Sequence, residues 1–235
     1  MQREDFLRPG ITVIPHAKLS DYHGAWSLRH GTSLTLSVPP KFLEEIRKRC
    51  AGLTVDNLHT PKLVETIFSD WLSKTVGPAF QGSLDPAEFS PCPLDQVRLL
   101  AANDRTCLQK LQDAVDSTEW DHSTLSVDDP TVFGYFFDGQ LVAASKNVMR
   151  SEDAADHGVV THPNYRRRGF GKTVVCASVT HAIEQGYLVI YQTLATNAAA
   201  VKIAQNLGFV QYGQSLAVRF TKEEESPNKP LHGTA

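Results

Sequence analysis

Val159-Val160-Thr161-His162-Pro163-Asn164-Tyr165-Arg166-Arg167-Arg168-Gly169-Phe170-Gly171-Lys172-Thr173 is the stretch whose reading decides the fold. It opens on a short apolar run and passes a proline-marked turn. Three consecutive arginines and a Gly-x-Gly follow, and a helical pattern begins at once. The order reads as a strand, a turn and a helix N-terminus. A helix start presents unpaired N–H groups and a partial positive charge, and glycine lets a backbone approach a bound group closely. Together they predict a nest for a phosphate-type anion. The arginines add guanidinium groups that match phosphate oxygens two at a time.

Two nucleotide motifs are excluded. Gly171-Lys172-Thr173 mimics the end of a Walker A loop, but the first glycine of that motif falls on Arg166. Gly169-x-Gly171 begins a dinucleotide fingerprint, but its third glycine falls on Val174.

Downstream of the turn, the spacing predicts a helix from Gly171 to about Glu184, with Val174, Val175, Ala177, Ser178 and Val179 as a small packing face and Gly186 as its stop. Tyr187 to Leu194 is nearly all apolar, β-branched or aromatic, as in a strand buried on both faces beside a parallel neighbour. Asn197 caps a helix from Ala198 to Leu207, stopped by Gly208, and Ser215 to Phe220 alternates as a last strand. Residues 222–235 are charged, then Pro- and Gly-containing, and are expected to be a disordered tail.

Upstream, Asp95 to Leu100 reads as a strand, and Asn103-Asp104 cap a helix carrying Leu108, Leu111 and Val115. Thr118 to Pro130 reads as a polar loop. Val132–Phe137 and Leu141–Ala144 form a hairpin across Asp138-Gly139, the strongest short hairpin signal. Ser151 to Asp156 reads as a turn before a strand from His157 to Thr161. The unit from His157 to Leu194 is then a right-handed strand–helix–strand crossover. In the first ninety residues, a hairpin joins Ala25–Arg29 to Ser33–Ser37. Helices are expected over Pro40–Cys50 and Pro61–Lys74, with Thr60 as N-cap, and a Pro-rich linker over Gly82–Pro93. The result is a mixed α/β chain: an N-terminal α+β module over 1–90, a second domain over 95–221, and the tail.

The chain has 235 residues, 41% hydrophobic and 21% charged, with a net charge of −3 when His is neutral. This is ordinary globular material, and no basic field recruits nucleic acid or an anionic membrane. The N-terminus MQREDFLRPG has no apolar core like that of a secretory signal, and no apolar run is long enough to span a bilayer. The four cysteines show no C-x-x-C pair and no zinc-finger spacing, and the nine histidines form no metal-type pair. The expectation is a cytoplasmic chain with free thiols and no metal.

With these elements in order, the chain resembles the GNAT (GCN5-related N-acetyltransferase) superfamily. The signature Arg/Gln-x-x-Gly-x-Gly/Ala matches at Arg166, Gly169 and Gly171, after a strand that ends in a Pro turn. A second motif matches at Asn197, Ala200, Ile203 and Leu207-Gly208-Phe209. The resemblance covers about residues 95 to 221 and implies a central mixed sheet flanked by helices. Hairpin then helix recurs in both halves, which raises the reading of the N-terminal module as a degenerate partial copy of the fold. The resemblance implies acetyl-CoA as cosubstrate. Its pyrophosphate would sit on the backbone N–H groups of Arg168 to Lys172, within a set that also takes in Arg166, Arg167 and Thr173. Its pantetheine arm would pair with Val159, Val160 and Thr161, and Asn197 would touch that arm or serve only as a cap.

The implied reaction is attack by a neutral amine on the thioester. The acceptor would be a small molecule or peptide, which the sequence leaves unnamed. The thioester oxygen would take a backbone N–H from Val160 or its neighbours. The tyrosine that often protonates the departing thiolate in this family is replaced here by Ala204, so Tyr212 or Tyr191 is the substitute. His157, beside Asp156, is the candidate base because an ordinary histidine titrates near neutrality. Glu119, Asp121 and His122 are candidates for the acceptor side. Two other readings stay open: a non-catalytic acyl-CoA-binding or regulatory protein, and an N-terminal interaction module that the second half merely scaffolds.

Overall fold

The computed structural model describes residues 8–16, 22–129 and 131–221, so the expected tail lies outside the described residues. The chain forms two compact units. One takes residues up to Phe80, Leu194–Thr196 and the residues from Tyr212 on; the other takes Gln81–Thr193 and Asn197–Gln211. The break therefore falls at residues 80 and 81, not at the proline-rich segment near residue 90.

In the first unit, β1 (Gly10–Pro15), β2 (Gly24–His30) and β3 (Ser33–Val38) are followed by α1 (Leu43–Cys50), α2 (Pro61–Ile67) and β4 (Leu72–Leu84), whose residues from Gln81 on are counted with the second unit. The expected hairpin pairs β2 with β3, and β1 runs parallel to β3. Helix α1 has Glu44 and Glu45 in its first turn and Arg47, Lys48 and Arg49 in its last, which suits its dipole. Arg49 makes a two-pronged pair with Asp70 at 2.5 and 2.6 Å and lies over the Trp71 ring. The helix expected to reach Lys74 stops at Ile67. The β-branched Thr75 and Val76 and then Pro78 suit a strand and would break a helix. The same strand runs on to Leu84, so the expected linker begins inside it.

The second unit carries β5 (Val97–Leu99), α3 (Arg105–Ala114), α4 (Ser117–Ser123), β6 (Val132–Phe137), β7 (Gln140–Met149), β8 (Ala154–Thr161), α5 (Phe170–Glu184), β9 (Leu188–Leu194) and α6 (Ala198–Asn206). The strand order is β9-β8-β7-β6-β5, with β8 and β9 parallel and the others antiparallel. Side chains alternate across the sheet. Ala144 and Val160 pack with Leu108 and Leu111 of α3, with Val115 just past its end, and with Trp120 of α4. Ser145 and His157, on the opposite face, reach Ser178 of α5. The small face expected of α5 is buried as a block from Val174 to Val179.

Three local expectations are corrected. Thr118–Pro130, read as a loop, begins with helix α4, whose N-cap Asp116 accepts from the Thr118 N–H at 2.9 Å. Ser151–Asp156, read as a turn, enters β8 at Ala154. The last strand, β10 (Val210–Phe220), begins five residues before Ser215 and pairs antiparallel with β2. That pairing is why the chain from Tyr212 belongs with the first unit.

Candidate functional site

Strand β8 is paired unequally on its two edges. Toward β7 the register is unbroken from Met149↔Ala155 to Ala143↔Thr161. Toward β9 it holds only at Ala154↔Leu188 and Ala155↔Val189. Where the two strands part, the Asp156 carboxylate replaces the ladder. Its Oδ1 accepts from the His157 N–H at 2.8 Å and from the Gln192 N–H at 2.9 Å. Its Oδ2 accepts from the Arg150 guanidinium at 2.6 Å. Burial raises the Asp156 pKa, although Arg150 and the two N–H groups pull it down.

Beyond Asp156 the β9-side edge of β8 is open. The His162 N–H donates to the Val142 carbonyl at 2.9 Å, which puts even-numbered residues on the β7 side. Antiparallel pairs alternate, so Val159 and Thr161 turn their main-chain groups toward the parted edge and Val160 does not.

The turn after β8 is built for a close approach. Pro163–Tyr165 makes one tight helical turn. Arg167 then has φ +64° and Gly169 φ +88°, both left-handed, immediately before α5. No side chain caps α5. Its first internal bond runs from the Thr173 N–H to the Gly169 carbonyl at 3.1 Å, leaving the N–H groups of Phe170, Gly171 and Lys172 facing outward. A Cβ on Gly169 would meet nothing within 4 Å, so the space before the turn is open. A Cβ on Gly171 would stand 2.8 Å from the Thr161 Oγ1, so the helix start sits directly on the strand end. An uncapped helix start, a left-handed glycine and a free strand edge fit an extended thiol arm with a pyrophosphate at one end.

The expected site residues do not all face this space. Val160 is buried against α3 and α4, and its N–H faces β7, so it is no oxyanion donor. The Phe170 ring stacks on Tyr135 at 4.4 Å, leaving only its main chain to the nest. The Thr173 hydroxyl and N–H both donate to Gly169, so neither is free for a ligand. Arg166 is turned away: its Nε donates to the Thr161 carbonyl at 3.2 Å and its Nη2 to Glu119 Oε2 at 2.6 Å. Asn197 accepts from the Ala200 N–H at 3.1 Å as the N-cap of α6.

His157 is the larger correction. Its ring is sealed between Ser178, Tyr191 and Phe209, with Nδ1 3.0 Å from the Ser178 hydroxyl. Burial pushes its pKa down to about 3, far from a base poised near neutrality. Tyr191 is also buried, which raises its phenol. Tyr212 lies in the first unit, where its carbonyl pairs with His30. Glu119, missed as an Arg166 partner, had a signal: Asp116 followed by Glu119 has the capping-box spacing that starts a helix.

Among the described residues no three or more His, Cys, Asp or Glu side chains come together as a metal site would need, and none of the described helices is long and apolar enough to cross a membrane.

A strand edge opened beside a glycine nest at a helix start defines an α/β protein with an anion-type nest at the end of an unpaired strand edge. The comparison with known families points the same way: residues 97–209, just under half the chain, match the model of the Acetyltransferase (GNAT) family. Its members are generally acetyltransferases and typically bind acetyl-CoA. Among solved structures, an acetyltransferase of the GNAT family from Colwellia psychrerythraea is similar at 19% identity, over 67% of this chain and 61% of that one, with a TM-score of 0.53. A GNAT-family protein from Novosphingobium aromaticivorans matches at 22% identity over 64% and 67% of the two chains, TM-score 0.51. A GCN5-related N-acetyltransferase from Kribbella flavida matches at 17% over 71% and 66%, TM-score 0.51. At these identities the likeness is one of fold, and about a third of each relative lies outside the matched part. No curated protein matches the sequence.

Proposed function

We propose that this chain is an N-acetyltransferase that moves the acetyl group of acetyl-CoA onto a primary amine of a small molecule or peptide. The observation that carries the reading is the parted edge of β8 running straight into the uncapped glycine nest of α5. Val159 and Thr161 offer main-chain groups to the pantetheine arm as an added strand would use them. Phe170, Gly171 and Lys172 offer N–H groups to the pyrophosphate, with Arg167 and Arg168 beside them. Acetyl-CoA brings an activated thioester. On the parted edge, the Val159 and Thr161 N–H groups are the donors available to a carbonyl oxygen that gains charge.

The sealed His157 takes no part in proton removal. The acceptor ammonium loses its proton to water at the open edge, and the departing thiol is acidic enough to leave without a general acid. The rate then follows the acceptor's own ionisation, not that of an enzyme histidine. The free cysteines fit a reducing cytoplasm.

A second reading is a non-catalytic acyl-CoA binder. The sealed His157 and the buried Ala204, where many relatives place a tyrosine, favour it. Incubating the full chain with acetyl-CoA and a panel of amines separates the two. Release of free thiol supports transfer; tight binding with no release across the panel favours the binder. Replacing Gly169 and Gly171 together by Val abolishes acetyl-CoA binding in calorimetry if the nest is the site, and unchanged affinity refutes it.

A further inference from the structure

The three arginines of the turn are not equivalent. Arg167 and Arg168 have no carboxylate partner among the described residues; the Arg168 guanidinium lies 5.3 Å from the centre of the Tyr165 ring. Arg166 instead joins three segments. It donates to the last carbonyl of β8, at Thr161, and to Glu119 of α4, and it is itself the first residue past the tight turn. Helix α4 is also seated on β8 at a second point. A Cβ on Gly158 would stand 1.8 Å from the Ser123 carbonyl oxygen, so only glycine lets the end of α4 lie against the strand. The helix therefore touches β8 at Gly158 and grips its far end through Glu119 and Arg166.

We propose that Glu119 and Arg166 are positioning residues that brace the end of β8 and the start of the turn against α4, and that Arg166 is not a phosphate ligand. This rests on the reading of the turn as the CoA site. Charge gives the proposal a sign. A carboxylate beside an anion site disfavours the anion by Coulomb repulsion alone. If Glu119 merely held Arg166 back from the phosphates, neutralising it would free that guanidinium and tighten binding. If the pair is a brace, neutralising it loosens the strand end and weakens binding. The side chains are 42% and 49% exposed, which keeps the effect modest.

The test is calorimetric titration of the full chain with CoA itself, with melting midpoints to confirm folding. Glu119→Gln keeps the side-chain length. The expected result is binding weakened about threefold to fivefold by Glu119→Gln and similarly by Arg166→Gln, in line with a partly exposed ion pair. The double variant should be no weaker than either single. Arg168→Gln should weaken binding independently, so that its effect adds to that of Glu119→Gln. Unchanged or tighter binding by Glu119→Gln overturns the brace, and so does additivity between positions 119 and 166. A wild-type chain that binds no CoA overturns the underlying site reading instead, and the two failures are distinct.

Discussion

The two ends of β8 share one backbone and opposite environments. Ala154 and Ala155 are buried and paired on both edges, and at Asp156 and His157 the Asp156 carboxylate takes over on the β9 side. From Gly158 to Thr161 it keeps its β7 partner and loses β9. One carboxylate divides the halves. Asp156 satisfies the N–H groups that a continued parallel ladder would have paired, so the sheet opens there without orphaned donors. At the closed end the Asp156 carboxylate and the His157 N–H are matched inside the protein, although the buried His157 Nε2 has no hydrogen-bond partner; at the open end the β9-side main-chain groups have no strand to pair with. The strand edge is opened by a side chain that replaces the ladder, not by a loop or insertion.

Removing the divider is the strongest way to break that comparison. Asp156→Ala leaves the His157 and Gln192 N–H groups buried without their acceptor, at about 1–3 kcal/mol each, while the Arg150 charge, 44% exposed, turns to water. Recovery of the carboxylate's own burial cost offsets part of this, so the expected loss is about 2–3 kcal/mol in urea unfolding. A loss under about 0.5 kcal/mol would mean that β8 and β9 part for another reason.

How far these ends were legible in the sequence differs in the same way. The glycine turn, the helix it starts and Asn197 as a cap were readable, because each rests on local backbone chemistry. The direction of each β8 residue was not. Val160 and Val159 are identical side chains, and only the pairing register decides which one faces the opening. His157 misled for a similar reason. Its residue type suits a base, but the burial that lowers its pKa comes from Tyr191, Phe209 and Ser178, all remote in sequence. Arg166 belonged to the signature, and its partner lay in a segment of Ser, Thr and Asp that looked like a loop. The helix expected to reach Lys74 failed because an apolar stripe cannot show where a buried Phe68 ends one element and β-branched residues begin another.

The closed end also carries a pH signature. His157 titrates near 6.5 in an unfolded chain and near 3 when buried. Below pH 6.5 the unfolded chain takes up a proton that the folded one refuses, so stability falls as pH drops, reaching its full loss only near pH 3. The slope approaches about 1.4 kcal/mol per pH unit. Asp156 acts in the opposite sense, since its raised pKa lets the folded state accept a proton first. Comparing wild type with His157→Gln cancels the Asp156 share. The unfolding free energy of wild type from urea titrations should fall more steeply between pH 7 and pH 5, by about 1–2 kcal/mol in total. Parallel curves would mean that the His157 ring reaches water and that the closed end is not closed.

The smallest expected effect on stability lies just past the open end. Arg167 holds φ at +64°, a left-handed conformation that costs a residue with a Cβ about 1–2 kcal/mol relative to glycine. Glycine would remove that strain but add freedom to the unfolded chain, worth about 0.4–1 kcal/mol in the other direction. Arg167→Gly should therefore raise stability slightly, by about 0.5 kcal/mol, seen as a small rise in melting midpoint. The same change deletes a guanidinium beside the nest, so CoA affinity should fall about threefold to tenfold. The combination separates strain kept for a ligand from strain kept for the fold. If stability falls instead, the arginine serves the turn itself, and the open end is held by the same matching of internal partners that defines the closed one. If stability rises and affinity does not change, the strained residue sits outside the anion's reach and the nest is confined to the N–H groups of α5.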